Sequence, residues 1–117
     1  MARTDPAAFL PLHKNRFHIL LSLAGCEQHG YGIMQDVLEQ TDGAVHLWPA
    51  TLYSSIRRLI EDGLIEESDE RPAPELDDAR RRYYRLTTLG RKVIEMECLR
   101  LEELLRAAKK RRREAYE

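Results

Sequence analysis

The last third of the sequence carries an apolar seam that is longer than the rest of so short a chain can cover. Thr87 is a suitable N-cap residue, and the sequence after it predicts one helix of about 25 residues, ending near Arg112, with a length of about 37 Å. The seam has the alternating four- and three-residue spacing of a coiled coil and consists of Ile94, Cys98, Leu101, Leu105 and Ala108. Such a helix extends past a small globule. We therefore expect a second copy of the same helix to cover its far half.

Three shorter amphipathic helices are predicted before the long one. The spacing of apolar residues predicts a first helix over residues 12–24 and a second over residues 31–40. Gly30 and Gly32 stand at the start of the second helix, which suggests close backbone packing against the first. The buried face of the second helix is expected to consist of Tyr31, Met34, Val37 and Leu38.

The third helix separates apolar from polar residues most clearly. It is expected to begin at Pro49, because proline is favoured as a first helical residue, and to end near Gly63. Its apolar face consists of Leu52, Ile56, Leu59 and Ile60. Its opposite face is small, hydroxylated or cationic and is formed by Ala50, Tyr53, Ser54, Arg57 and Glu61, with Thr51 and Arg58 at its sides.

Two short strands are predicted between the third helix and the long one. Residues 64–67 form the first strand and residues 82–87 the second, in which Tyr84 and Leu86 alternate with Tyr83 and Arg85. Hairpin loops usually have about 2–5 residues, so a loop of about twelve residues is unusually long. The order of elements predicts a mainly α fold with a small β-hairpin, namely a winged helix-turn-helix followed by a long C-terminal dimerisation helix.

A winged helix-turn-helix places its third helix in the DNA major groove and its hairpin, the wing, along the backbone or minor groove. We therefore expect two parts in this chain. Residues 1–87 form an N-terminal arm and the DNA-binding domain, and residues 88–117 form the dimerisation helix and a basic tail. The arm carries Phe9 and Leu10, which are expected to dock on a partner subunit.

The charge of the chain is nearly balanced but unevenly distributed. The net charge is −1, from 19 Lys and Arg against 20 Asp and Glu. Residues 63–79 hold seven acidic residues and one basic residue, so the remainder is basic and can present a positive face to DNA. Acids beside DNA would be repelled by phosphate. Either the loop points into solvent, which we favour, or its acids pair with the wing arginines and compete with phosphate.

Catalytic, cofactor and membrane functions find no support in the sequence. Cys26 and Cys98 share no short spacing with each other or with a histidine, as the ligands of a zinc site would. There is no nucleophile-elbow motif and no glycine loop that could cradle a phosphate. No apolar run approaches the roughly 18 residues of a membrane span. The prediction is a cytoplasmic protein that is not an enzyme and uses no cofactor, metal or membrane.

Three stretches, in this order and at these spacings, resemble the PadR family of transcriptional regulators, in its short type with a single C-terminal helix. They are residues 30–33 (GYGI), residues 49–53 (PATLY) followed by Leu59 and residues 63–65, and residues 82–87 (RYYRLT) with Gly90. The chain departs from the family in two places. Trp48 stands where many relatives have a small residue that can cap the third helix, and the acidic wing loop is longer than in many relatives.

The resemblance implies a homodimeric repressor that binds double-stranded DNA and is released, in many relatives, by a small-molecule effector. Tyr53, Ser54 and Arg57 match the family's recognition helix, and Thr87 and Gly90 match the start of its dimerisation helix. The expected DNA contacts are Ala50, Thr51, Tyr53, Ser54, Arg57, Arg58, Arg80, Arg81, Arg82 and Arg85.

Several of these residues also fit simpler roles. Arg57 and Arg58 fit a solvated surface as well as a DNA contact, and Tyr53 fits half-buried packing as well as a hydroxyl contact to phosphate. The arginines of residues 80–82 could merely balance the neighbouring acids. Trp48 fits a packing anchor between the DNA-binding domain and the dimerisation helix, or a stacking wall for an aromatic ligand. The alternative function is a winged-helix adaptor that binds proteins through its acidic loop and no longer binds DNA.

Overall fold

The computed structural model of the chain describes residues 5–68 and 82–116. A 3₁₀ turn at Pro6–Phe9 comes first in these residues. The helices and strands that follow are α1 Lys14–Gly25, β1 Gln28–His29, α2 Gly30–Gln40, α3 Pro49–Glu61, β2 Ile65–Ser68, β3 Tyr83–Leu86 and α4 Thr88–Ala115. This mainly α fold with a small antiparallel sheet confirms the winged helix-turn-helix with a long C-terminal helix that the sequence predicts.

The helices begin where local side-chain chemistry favours a start. His29 precedes α2, and its Nδ1 accepts a hydrogen bond from the Gly32 N–H at 3.0 Å. Thr87 caps α4 as predicted, because its Oγ1 accepts a hydrogen bond from the Gly90 N–H at 3.0 Å. Pro49 is the first residue of α3, and Gly63 follows that helix with a φ of +77°, which glycine adopts without strain.

The core lies where the first three helices meet the sheet and the start of α4. Its fully buried side chains include Ile19, Leu20, Ile33, Leu52, Leu59 and Val93. Two predicted core positions are wrong, because Tyr31 is 56% exposed and Ile60 is 41% exposed. Ile33 and Val37, one turn apart, set the inner face of α2 and turn Tyr31 outward. There the Tyr31 hydroxyl accepts a hydrogen bond from Gln35 Nε2 at 3.0 Å.

The close approach expected at the glycines of α2 is present, but α1 does not make it. A Cβ on Gly30 would lie 2.5 Å from Tyr53 Oη of α3. A Cβ on Gly32 would overlap the side chain of Gln28. These glycines therefore make room for side chains at the start of α2 rather than for the backbone of α1.

The sheet has one more strand than predicted. Within the described residues β3 is central and pairs antiparallel with β2 on one side and with the two-residue β1 on the other. The register sets His29 opposite Tyr83, and their rings meet edge to face with centroids 5.2 Å apart. Tyr83 is therefore buried, although it lies on the face opposite Tyr84 and Leu86. β1 is too short to leave an alternating pattern in the sequence.

The N-terminal arm packs partly on its own chain, and its docking on a partner subunit stays a prediction. Phe9 and Leu10 are partly buried against the core, and the turn that carries Phe9 packs on α4. Beyond them the Leu12 N–H donates a hydrogen bond to Glu97 Oε2 at 2.8 Å. Glu97 is 2% exposed and also accepts hydrogen bonds from Arg100. The hydrogen bond from Arg100 is the main reason that the pKa of Glu97 is lowered.

α4 begins at a junction that joins the end of α3 to the wing. Thr87 Oγ1 donates a hydrogen bond to the Gly63 carbonyl at 2.6 Å, and the Thr87 N–H donates to the Leu64 carbonyl at 3.1 Å. One turn later Gly90 lies directly on the backbone of Leu64, where a Cβ would overlap the carbonyl oxygen. The direction of α4 is thus set by contacts to backbone atoms within its first turn.

α4 extends far beyond the core. It has 28 residues, which corresponds to about 42 Å at 1.5 Å per residue. From Leu101 to Tyr116 every residue is exposed, and Leu104 and Leu105 are each 54% exposed. The described residues therefore leave an apolar part of α4 uncovered.

We predict that Gly90→Ala lowers the free energy of unfolding by about 1–3 kcal/mol, because the methyl group must displace the backbone of Leu64 rather than a flexible side chain. Each kcal/mol shifts the unfolding midpoint of a small domain by about 4–8 °C, which calorimetry at fixed protein concentration measures. Gly25→Ala is the matched control, since a Cβ there meets nothing within 4 Å. Equal shifts for the two variants would contradict the backbone contact assigned to Gly90.

Candidate nucleic-acid interface

The outer face of α3 presents small, hydroxylated and cationic side chains to solvent. Leu52, Ile56 and Leu59 fix the inner face, and none of them is more than 2% exposed. Ile60 stands about 100° around the helix from Leu59, which explains its exposure. The six expected DNA contacts on this helix are all exposed, namely Ala50, Thr51, Tyr53, Ser54, Arg57 and Arg58.

The two arginines of α3 differ in their surroundings. Arg58 Nε lies 3.4 Å from Asp62 Oδ2, one turn further on, and the Asp62 side chain is 6% exposed. Arg57 is exposed, and no carboxylate within residues 5–68 or 82–116 forms an ion pair with it. Arg58 is therefore held toward the C-terminal end of α3, whereas the Arg57 guanidinium is available to a ligand.

Tyr53 is positioned by the glycine at the start of α2. The Tyr53 ring packs over Gly30, and 47% of the residue remains exposed. Tyr84 belongs to the core, with 6% exposed. Burial, followed by the charges of Glu67 and Tyr53, raises the pKa of Tyr84 above its usual value. The geometry favours half-buried packing for the Tyr53 ring and leaves its exposed edge on the outer face of α3.

Trp48 lies at the N-terminal end of the same helix. It is 64% exposed, and its ring stacks on that of His46 with centroids 3.8 Å apart and planes 18° apart. Trp48 is therefore not the packing anchor between the winged domain and α4 of its own chain that the sequence suggested. It also makes no side-chain hydrogen bond that caps α3.

The wing arginines that the structure describes are paired with carboxylates. The Nη1 atom of Arg85 lies 3.8 Å from Glu27 Oε1, and its Nη2 atom lies 3.8 Å from Glu66 Oε2. Arg82 Nε lies 3.9 Å from Glu67 Oε1. Arg85 is on the central strand β3. It therefore has one carboxylate from β2, that of Glu66, and one from the residue just before β1, that of Glu27. The other two expected wing contacts, Arg80 and Arg81, lie outside the described residues.

These ion pairs bear on the two arrangements considered for the acidic segment. For Glu66 and Glu67 the structure supports the arrangement that we did not favour, in which acids pair with wing arginines. The other five acids of residues 63–79 lie outside the described residues. Phosphate would therefore have to compete with carboxylates for Arg82 and Arg85.

The expected dimerisation residues of α4 fall into two groups. Ile94 is buried and Cys98 is partly buried, so both already pack within the chain. The exposed group on the far half of the helix consists of Leu101, Leu105 and Ala108. Sequence reasoning missed Leu99 and Leu104, which are 59% and 54% exposed and widen the apolar face. Leu104 could have been found from the sequence, because it directly precedes the seam residue Leu105 and is also apolar.

Other chemistry has little basis in the part of the chain that the structure describes. No group of three or more His, Cys, Asp or Glu there is arranged to hold a metal ion. Cys26 and Cys98 are both free thiols, and burial raises the pKa of Cys98, which disfavours the nucleophilic thiolate. None of the helices in residues 5–68 and 82–116 has the length and hydropathy of a membrane span.

A family model matches the region that contains this interface. The model of the "Transcriptional regulator PadR-like family" covers residues 19–96, from the middle of α1 to the first part of α4. The chain belongs to the PadR-like family. The resemblance carried by residues 30–33, 49–53 and 82–87 is thereby confirmed, and the chain is a transcription regulator rather than an enzyme.

One curated relative and two solved structures are consistent with this assignment. The chain is similar to "Transcriptional regulator Rv3488" of Mycobacterium tuberculosis, with 36% identity over 91 residues that make up 78% of each protein. A transcriptional regulator structure from Clostridium thermocellum is 28% identical, with a TM-score of 0.66, covering 81% of this chain and 86% of that one. Bacillus subtilis PadR, solved in complex with operator DNA, shares the fold at 19% identity and a TM-score of 0.59, over 71% of this chain and 46% of its own.

We predict that Glu27→Gln combined with Glu66→Gln strengthens binding to random duplex DNA by up to about fivefold, because exposed ion pairs of this kind contribute about 0–1 kcal/mol. The release of Arg85 should also steepen the slope of log K against log salt concentration by about 0.9. Fluorescence anisotropy over a salt series measures both quantities. Glu103→Gln combined with Glu114→Gln removes the same charge on exposed α4. A slope that changes equally in both double variants would contradict competition at Arg85.

Proposed function

We propose that this PadR-like chain is a repressor that binds a pseudo-palindromic operator in double-stranded DNA as a homodimer. The observation that carries the proposal is the outer face of α3, where the exposed Arg57 has no carboxylate partner among the described residues. The Bacillus subtilis neighbour, solved in complex with operator DNA, shares the fold over 71% of this chain, which supports a DNA-binding use of the outer face of α3 here.

α3 has the side chains that a helix in the major groove needs. An arginine can donate two hydrogen bonds to O6 and N7 of guanine, and we assign this role to Arg57. Ala50 and Ser54 are small enough to let the helix approach the base edges. Arg58 is drawn toward Asp62 at 3.4 Å, so we assign it to the phosphate backbone, where contacts fix register rather than sequence.

The wing supplies the remaining phosphate contacts in this proposal. Arg82 and Arg85 lie on or next to β3 and are 73% and 42% exposed in their side chains. Phosphate would take the place of the carboxylates that now lie 3.8–3.9 Å from these guanidinium groups. Arg80 and Arg81 precede them in sequence and are assigned to the same role.

Homodimerisation is assigned to residues 88–117, with residues 1–87 as the DNA-binding domain. Leu101, Leu104 and Leu105 are exposed on the far half of α4. Burying such a side chain contributes about 1.5–3 kcal/mol, so a second copy of α4 is a favourable cover. A twofold pair would carry two copies of α3 to two half-sites, which is why the operator is expected to be pseudo-palindromic.

We place the relief of repression by a small molecule in a groove between α1 and α4, chosen because its lining is apolar. The groove has a volume of about 430 Å³. Its lining includes Leu21, Ala24, Ile94, Cys98 and Leu99. An apolar effector in this groove would contact the near end of the proposed dimerisation helix and could change how two copies pack.

We predict that Arg57→Ala weakens operator binding by about 5–150-fold, the equivalent of about 1–3 kcal/mol for one bidentate arginine–guanine contact, and random-duplex binding much less. The operator is obtained by selecting from a randomised duplex pool with the unaltered chain, and affinities are measured by anisotropy. Arg111→Ala removes the same charge about 32 Å along α4 from Gly90 and should change neither affinity.

Three other results would change the role assigned to Arg57 or the function assigned to the chain. Equal losses on operator and random DNA would make Arg57 a phosphate contact. No loss on either would place the recognition surface elsewhere. If the unaltered chain selects no duplex at all, the adaptor function through the acidic segment replaces the repressor.

The dimer is tested by Leu101→Asp combined with Leu105→Asp, which we expect to be monomeric at micromolar concentration and unable to bind the operator. Each charge would have to enter an apolar interface without a partner, which is strongly unfavourable. Sedimentation velocity measures the mass. Lys92→Asn combined with Lys110→Asn makes the same change in net charge at exposed positions of α4 away from the seam and should remain dimeric. An unaltered chain that sediments as a monomer contradicts the proposal.

A further inference from the structure

The only tryptophan of the chain has an exposed, stacked indole ring at the start of α3. Trp48 is 64% exposed, and its ring stacks on the ring of His46 with centroids 3.8 Å apart. Leu47 lies between these two residues and is 1% exposed, so it anchors the segment to the core. The stacked neighbour and the buried anchor together restrict where the indole can point.

Trp48 occupies a position at which helix chemistry favours a different residue. Ser, Thr, Asp and Asn are preferred at an N-cap because their side chains accept a hydrogen bond from the first N–H groups of the helix. Trp48 makes no such bond to α3. An exposed indole here neither caps the helix nor fills the core, so the folding of the described chain does not account for it.

We propose that Trp48, oriented by His46, is a specificity-determining contact that packs against the C5-methyl group of a thymine in the operator. The N-terminal residues of a recognition helix contact base edges, and Trp48 lies two residues before the exposed Ala50 at that end of α3. Apolar side chains recognise the thymine methyl group in the major groove. An indole already held by stacking loses less conformational freedom on binding. The inference rests on the proposed DNA-binding function.

The test combines a change in the protein with a change in the DNA. Trp48→Ser removes the indole and supplies an N-cap hydroxyl, so a loss of binding cannot be attributed to a weaker α3. We expect Trp48→Ser to unfold at the same or a higher temperature. Its affinity for the selected operator should fall by at least about fivefold, which is the smallest loss typical of one disrupted base-pair contact. Because the contact is not ionic, the salt slope should stay the same.

The thymine is located by replacing thymines of the operator one at a time with deoxyuridine, which removes only the methyl group. The unaltered chain should lose affinity at one position of each half-site, and Trp48→Ser should be insensitive at that position. His46→Ala should fall between the two proteins. Because Trp48 is the sole tryptophan, saturating operator should also protect its fluorescence from acrylamide quenching.

Several results would overturn the inference. Unchanged quenching on saturating operator would place Trp48 away from the DNA. Protection that depends on protein concentration without DNA would place it between two copies. Equal deoxyuridine effects in the unaltered chain and Trp48→Ser would assign the methyl contact to another residue. If the unaltered chain selects no duplex, the proposed function has failed as well. A chain that binds an operator and keeps a quenchable Trp48 refutes this inference alone.

Discussion

The hydrogen bond from Thr87 Oγ1 to the Gly63 carbonyl, at 2.6 Å, joins the parts on which the rest of the structure depends. Gly63 ends α3, Thr87 ends the wing and caps α4, and Gly90 rests on the backbone of Leu64. The relative direction of α3 and α4 is therefore set by contacts to backbone atoms, and the approach of Gly90 to the Leu64 backbone cannot be relaxed by side-chain motion. Because α4 is about 42 Å long, a small rotation at this junction would move its far end by many ångströms. In the proposed dimer, the junction thus controls the separation of the two α3 helices.

Glu97, two helical turns after Gly90, attaches α4 to a second part of the chain. Its buried carboxylate accepts hydrogen bonds from the Leu12 N–H and from Arg100, so the N-terminal arm is tied to the helix. Phe9 and Leu10 then cover the near half of α4 from within the same chain. The docking of the arm on a partner subunit stays a prediction, because Phe9 and Leu10 are only partly buried within this chain. The far half of α4 is the part that the described residues leave wholly exposed.

Local signals explain most of what the sequence could predict. Pro49 and Thr87 mark helix starts through their own backbone and side-chain chemistry, and both lie where predicted. β1 and the packing of Tyr53 over Gly30 were not predictable, because they depend on residues that are distant in sequence. Candidate contacts on α3 followed from helical periodicity. The difference between Arg57 and Arg58 was not readable from the sequence, because each has an acidic residue four positions later, Glu61 and Asp62 respectively. Only the structure shows that the Arg58–Asp62 pair forms, on a carboxylate that is nearly buried.

The distribution of paired and unpaired arginines reconciles a net charge of −1 with a DNA partner. Phosphate neutralisation drives binding to any duplex and carries no sequence information. In the described chain Arg58, Arg82 and Arg85 are each engaged by a carboxylate, whereas Arg57 is not. A protein arranged in this way gains less from DNA in general, because phosphate contacts by Arg58, Arg82 and Arg85 must first displace internal ion pairs. Its affinity then depends more on the α3 face, where the contacts that distinguish one sequence from another are made.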